Sequence, residues 1–209
     1  MQTDAAFWTR VAPKYAKRPI SDLTSYEHTL SRIRDNISPT SKVLELGCGT
    51  GGTALKLAGD AAEILATDIS EGMISEAMKR PQADNVRFAV AEVFSPTLEK
   101  HEFDVVLALN LIHLLPNTTE YLNRVRALLK PGALFISKTP CLSDGNLGFK
   151  FGLMKAAIPI MQWMGKAPYV RFFSARELEA DIEAAGFQVI ETGNFPVRPS
   201  SRFVVARAV

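Results

Sequence analysis

The run Val43 to Gly52, VLELGCGTGG, constrains this chain more than any other stretch. Val43, Leu44 and Leu46 suit a buried strand, whereas Glu45 sets a carboxylate among them that is costly to bury unless something hydrogen-bonds to it. Three glycines follow at alternate positions. Gly47 and Gly49 can adopt φ above zero, and without Cβ atoms they let main-chain N–H groups approach a ligand closely. Gly51 leads into a helix expected over residues 53–57, whose first amides and dipole favour a negative group. Strand, glycine turn and helix in this order point to a ligand seat at the carboxyl end of a parallel sheet. Glu45 reads either as a contact kept for that ligand or as a structural carboxylate that accepts loop amides.

Short apolar runs then alternate with helix-length stretches. Strands are expected over 43–46, 63–67, 86–90, 103–109, 133–137, 188–191 and 202–206, and helices over 71–79, 119–129 and 175–185. Lys130, Pro131 and Gly132 should close the helix at 129, and Gly186 the one at 185. The order predicts an α/β fold: a Rossmann-like, doubly wound, mostly parallel seven-stranded sheet with helices on both faces. Two helical segments precede the glycine loop, over 5–16 and 22–36. In the second, Leu23, Tyr26, Leu30 and Ile33 recur at helical spacing behind Ser21 as the expected cap.

At 209 residues, with 47% hydrophobic and 22% charged content, the chain fits one α/β domain over 1–209. A formal charge of +2 with scattered basic residues gives no stripe for DNA or RNA. Cys48 and Cys141 form no metal-ligand spacing and no disulfide framework, which fits a reducing cytoplasm. No run reaches ~18 uninterrupted apolar residues, and the first ten residues lack a secretory apolar stretch, so a soluble protein is expected.

Gly47, Gly49 and Gly52 also satisfy G-x-G-x-x-G, and Asp68 follows at about the ~20-residue distance of dinucleotide-binding folds. Glu45 separates the readings, because those folds usually keep an apolar residue there. With it, the chain resembles the class I S-adenosylmethionine-dependent methyltransferases, whose first motif is E/D-x-G-x-G-x-G. LLKPGALFIS likewise resembles their helix-turn-strand into the fifth strand. The resemblance covers essentially the whole chain and is specific over 42–137.

The resemblance implies S-adenosylmethionine as cofactor and methyl transfer from its sulfonium to a nucleophile. Glu45, Gly47, Cys48, Gly49 and Gly51 would form the floor. Asp68 ends a strand at the ligand-binding edge, where its carboxylate can accept two ribose hydroxyls; its alternative is a helix cap, for which Ser70 is better placed. Ile69 and Met73 would wall the adenosine. Glu92 stands where the family commonly has Asp on the adenine amino group, with the backbone of Val93 beside it. Asn110 would offer its carbonyl to the methionine amino group, and Tyr15 and Arg18 resemble an N-terminal lid over 1–40 that closes on the methionine end.

His113 is the histidine nearest the expected reaction centre, as a base or as a locally packed side chain. The loop at Asn110 lacks the N/D-P-P-Y/F sequence of enzymes that methylate DNA or protein glutamine. It resembles instead the loop of small-molecule, lipid or quinone methyltransferases. An apolar helical insertion over 147–172, helical to 164, reads as a lid on a greasy acceptor, as a peripheral membrane contact, or as a buried core helix. Two rival functions stay open: a cofactor-binding regulatory or scaffolding protein without turnover, and an NAD-dependent oxidoreductase.

Overall fold

The computed structural model describes residues 2–144, 157–162, 164, 166–197 and 199–209. Seven strands share one sheet: β1 (Lys42–Leu46), β2 (Glu63–Asp68), β3 (Val86–Val90), β4 (Phe103–Leu109), β5 (Leu129–Pro140), β6 (Phe187–Asn194) and β7 (Ser201–Ala208). Their spatial order is β3-β2-β1-β4-β5-β7-β6. β7 runs antiparallel to both its neighbours, and every other pairing is parallel. The order reverses between β1 and β4, and a crevice opens outside the strand ends at such a switch point.

Strand alternation divides the core into two layers. On β4, Val106 and Ala108 face a layer shared with α5 (Thr118–Leu128) and α7 (Ala175–Ala184). Val105 and Leu107 face the opposite layer, with α2 (Leu23–Arg34) and α3 (Gly52–Leu57). Both faces of the sheet are therefore apolar, as a doubly wound sheet requires. The remaining described helices are α1 (Gln2–Ala16), α4 (Glu71–Met78) and a short α6 over residues 157–162.

Three local details differ from the sequence expectations. β5 begins at Leu129, not at 133, because the chain leaves α5 straight into extended pairing of Leu129 with Phe103, before an irregularity in the β4–β5 register. Asp22, not Ser21, caps α2: its carboxylate accepts from the Ser25 amide at 2.9 Å. α2 also ends at Arg34, two residues earlier than expected. Ser70 does cap α4, accepting from Met73 at 3.1 Å.

α1 is seated against α4. Thr9 and Ser70 hydroxyls lie 3.0 Å apart, and a Cβ on Gly72 would meet the Thr9 carbonyl oxygen at 2.7 Å. Gly72 is thus what permits the two backbones to approach. Residues 147–156, 163 and 165 of the expected insertion lie outside the described residues. In α6, Ile160 and Met161 are 62% and 41% exposed, which puts its described residues at the surface and not in the core. No helix among the described residues is long and apolar enough to cross a membrane.

Candidate functional site

A cleft of about 870 Å³ opens at the carboxyl ends of β1, β2 and β4. That is near the upper end of the roughly 300–1,000 Å³ range of small-molecule sites, with room for a cofactor and a small acceptor together. The structure brings to its walls Tyr15, Arg18, Glu45, Gly47, Cys48, Gly49, Asp68, Ile69, Met73, Glu92, Val93 and Asn110, all expected from the sequence. Gly51 and His113 are the two expected residues that do not line it.

Glu45 follows Val43 by strand alternation onto the α3 side of the sheet, where it is 3% exposed. Its Oε2 has no hydrogen-bond partner. Burial pushes its pKa up to about 8, opposed by a backbone hydrogen bond from Ala54 and reinforced by the charge of Asp68. With no cation beside it this acid therefore holds its proton at neutral pH, and a cation placed there would release that proton.

Asp68 is fixed from two directions. Oδ2 accepts from the Gly49 amide and Oδ1 from the Ser70 amide, each at 2.9 Å. Burial raises its pKa, and those two amides oppose the rise. The carboxylate ties the glycine loop to the end of β2 and keeps lone pairs for further donors. Cys48 donates its amide to the Thr67 carbonyl at 2.9 Å, so the loop is anchored through main chain as well. The Cys48 thiol is buried and its pKa is pushed up, which keeps it from acting as a nucleophile.

The glycines divide by role. Gly49 has φ +55°, with nothing nearer to a notional Cβ than a Tyr15 ring carbon at 3.9 Å, so its bare backbone faces open cleft. Gly51 has φ +74°, and its notional Cβ would meet the Phe88 ring at 2.6 Å. Its need for glycine is packing beneath the loop, not contact with a ligand.

The apolar part of the wall comes from residues that form no motif in the sequence. Leu111, Leu114, Leu115 and Tyr121 line it, and Trp8 and Phe94 close it from α1 and from the loop after β3. Asn110 takes φ +57°, a left-handed conformation that Asn tolerates better than most residues, and its amide donates to the Lys138 carbonyl at 2.7 Å. His113 does not line the cleft. Its carbonyl accepts from the Arg171 amide at 2.7 Å, and its ring Nδ1 is buried without a partner. Burial lowers its pKa to about 4.

Among charged residues on the walls, Asp4, Glu45, Asp68, Glu92 and Glu120 outnumber Arg18 and Arg80. Arg80 is already committed, donating to the Thr50 carbonyl at 2.7 Å. An orphaned buried carboxyl, an open glycine backbone and an acidic lining together fit a cofactor that carries positive charge and hydroxyl groups.

Residues 16–192 match the family model described as a methyltransferase domain. A squalestatin hexaketide synthase from Phoma sp. is 29% identical over 185 residues, covering 80% of this chain and 7% of that protein. The ubiquinone biosynthesis O-methyltransferase of Ruegeria sp. is 26% identical over 164 residues, covering 76% of this chain and 64% of that enzyme. The chain thus spans about 7% of the length of the polyketide synthases it matches. The crystal structure of an S-adenosylmethionine-dependent methyltransferase from Mesorhizobium loti superposes with a TM-score of 0.72 at 16% identity, covering 89% of this chain and 99% of that one.

Proposed function

Because the chain belongs to the methyltransferase-domain family, we propose that it is an S-adenosylmethionine-dependent enzyme that methylates a small, apolar or amphipathic acceptor in the cleft above β1 and β4. The cofactor's sulfonium supplies an already activated methyl group. Protein residues then have to hold, orient and keep dry. Glu45 provides a negative partner for the cationic methionine end, assisted by the carbonyl of Asn110. Asp68 takes the ribose hydroxyls while it keeps the Gly49 and Ser70 amides in place. Glu92 and the Val93 backbone address the base, with Ile69 and Met73 against its faces. Tyr15 and Arg18 close over the methionine end from α1.

The orphaned Oε2 of Glu45 beside the bare Gly47–Gly49 backbone carries this reading. For the acceptor, Trp8, Phe94, Leu111, Leu114 and Leu115 supply apolar wall to the same cleft, Leu111 directly against Gly47. Relatives named for polyketide and ubiquinone synthesis support an acceptor of that character. Water exclusion and in-line placement are the enzyme's main contributions, worth about 7–11 kcal/mol at the upper range. A neutral amine attacks through its lone pair and sheds its proton afterwards, whereas an oxygen or carbon acceptor has to give its proton to a base. We leave His113 out of the reacting groups, since it does not line the cleft.

The test is a methyl-transfer screen across quinone precursors, polyketide-like thioesters, phenols and amines, detecting S-adenosylhomocysteine, alongside calorimetric titration with that product. Asp68→Ala should weaken product binding about 100-fold, the loss of two charge-assisted hydrogen bonds at about 1.5 kcal/mol each. Unchanged affinity would remove Asp68 from the site.

A further inference from the structure

Tyr26 carries a hydroxyl on the cleft wall that this reading leaves unused. It stands near the start of α2, half-buried, and lines the cleft with Ser21 ahead of that helix and Thr53 of α3. Lys56 Nζ lies 5.6 Å from the centroid of its ring, within cation–π range. Among the described residues the Tyr26 hydroxyl has one hydrogen-bond partner, the Thr53 hydroxyl, at 3.4 Å. Hydroxyl pairs usually sit about 2.7–2.8 Å apart. The contact is therefore loose, and both hydroxyls keep capacity for a stronger acceptor.

A short chain of contacts leads from this pair to Glu45. Ala54, the residue after Thr53, donates its amide to the Glu45 carboxyl. Burial raises the Tyr26 pKa, and the charge of Glu45 adds to that rise, so the two side chains are close enough to act on each other. The phenol is thus protonated at neutral pH and able to donate. Both hydroxyls and the orphaned Oε2 of Glu45 belong to one part of the cleft wall.

An α-amino acid carries its ammonium and its carboxylate on the same carbon, so a wall that answers the ammonium with Glu45 needs donors for the carboxylate close by. A carboxylate only accepts, and hydroxyls can donate to it. Resting on the cofactor reading above, we propose that the Tyr26 and Thr53 hydroxyls donate hydrogen bonds to the α-carboxylate at the methionine end of the cofactor. Each hydroxyl turns from its loose mutual contact to one carboxylate oxygen. With Glu45 on the ammonium, the amino-acid end is then held at two points, which fixes the direction in which the sulfonium presents its methyl group. Tyr26 and Thr53 act here as cofactor-selecting residues from α2 and α3, opposite in charge preference to Glu45.

The experiment titrates wild type, Tyr26→Phe and Thr53→Ala calorimetrically with S-adenosylhomocysteine and with its decarboxylated analogue, in which hydrogen replaces the carboxylate, and melts each protein without ligand. Wild type should bind S-adenosylhomocysteine at least about tenfold more tightly than the analogue. Tyr26→Phe should lose about tenfold in affinity for S-adenosylhomocysteine, as expected for one hydrogen bond to a charged group, and stay within about twofold of wild type on the analogue. Thr53→Ala should show the same pattern. The unliganded Tm of Tyr26→Phe should hold within about 2 °C, because the hydroxyl contact it gives up is a loose one. A merely structural tyrosine would lower Tm and weaken both ligands alike.

Unchanged affinity of Tyr26→Phe for S-adenosylhomocysteine, or an equal loss on both ligands, overturns the Tyr26 contact while leaving the cofactor site intact. Equal binding of the two ligands by wild type overturns the carboxylate contact without any variant. Failure of wild type to bind S-adenosylhomocysteine at all overturns the cofactor reading with it. Should Tyr26→Phe not fold, Thr53→Ala decides, since a loss that is absent or shared by both ligands there overturns the hydroxyl pair.

Discussion

Across the cleft, the glycine floor and the wall over residues 110–121 are held by different means. The floor is tied mostly through its own main chain: Cys48 N to Thr67 O and Gly51 N to Cys48 O, with Gly49 N on the Asp68 carboxylate and Arg80 on the Thr50 carbonyl. The facing wall is held by long side chains from elsewhere. Arg124 pins α5 to Val93 and Leu98, and Arg171 reaches from beyond β5 to the Thr118 hydroxyl at 3.0 Å, to Asp181, and by its amide to the His113 carbonyl. A floor of backbone presents one fixed geometry, which suits an unchanging cofactor. A wall of stapled side chains can be recut without disturbing the sheet, which suits an acceptor that differs among relatives.

The sharpest way to break this contrast is Gly51→Val. Its side chain must take φ near +74° and displace the Phe88 ring. Strain of about 1–2 kcal/mol and overpacking of about 1–3 kcal/mol sum to a loss near 3 kcal/mol, or roughly 6–12 °C in Tm. Because Gly51 does not line the cleft, the folded fraction should bind S-adenosylhomocysteine with little change. Chemical denaturation and calorimetric titration on the same sample check both halves. Preserved stability would mean that the floor yields as easily as the wall.

Glu45→Gln comes next, with an expected loss of about tenfold in affinity for S-adenosylhomocysteine, from removing a charged hydrogen-bond acceptor. The sign of its pH dependence follows from the raised pKa. A carboxyl at about 8 when folded and near its ordinary value when unfolded favours the unliganded fold fully below pH 4.5, and this contribution is lost as pH rises through 8. Glu45→Gln should therefore melt higher than wild type at pH 8.5 and alike at pH 4.5. Wild-type binding near pH 7 should release protons, seen as a buffer-dependent calorimetric heat, and the Gln variant should release fewer. Identical proton release by the two would detach Glu45 from the cationic end of the cofactor.

The same contrast explains what could be read from the sequence. Strands β1, β2 and β4 carry contiguous apolar runs, and the floor is one ten-residue motif plus Asp68, so local pattern and spacing reveal them. The long reach of β5 was hidden because Lys130, Pro131 and Gly132 read as a turn, while pairing of Leu129 with Phe103 draws them into the strand. The facing wall draws on Trp8, Phe94, Leu111 and Tyr121, which are scattered over more than a hundred positions and meet only through the sheet order. Nothing in LALNLIHLL distinguishes Leu111, which lines the cleft, from Ile112, which is wholly buried in the core. For His113 the residue type suggests chemistry, whereas the residue, set in the short 3-10 turn over Ile112–Leu114, does not line the cleft.

His113→Ala carries the smallest expected effect and tests whether the wall is a scaffold or part of the chemistry. The wall uses the His113 carbonyl, which accepts from the Arg171 amide, and alanine keeps that bond. The ring is neutral through physiological pH, since its pKa falls to about 4 in the folded chain. A side chain that does not line the cleft has no acceptor proton within reach, so the methyl-transfer rate should stay within about twofold of wild type, well short of the 10²–10⁴-fold expected of a general base. Its signature should be in stability instead. A lowered folded pKa favours the fold above pH 6.5, and this contribution is lost as pH falls through 4. The variant should therefore resist acid unfolding better than wild type between pH 6.5 and 4, measured by melts across that interval. A large drop in rate, with acid stability unchanged, would move His113 into the reaction and make the wall chemical as well as structural.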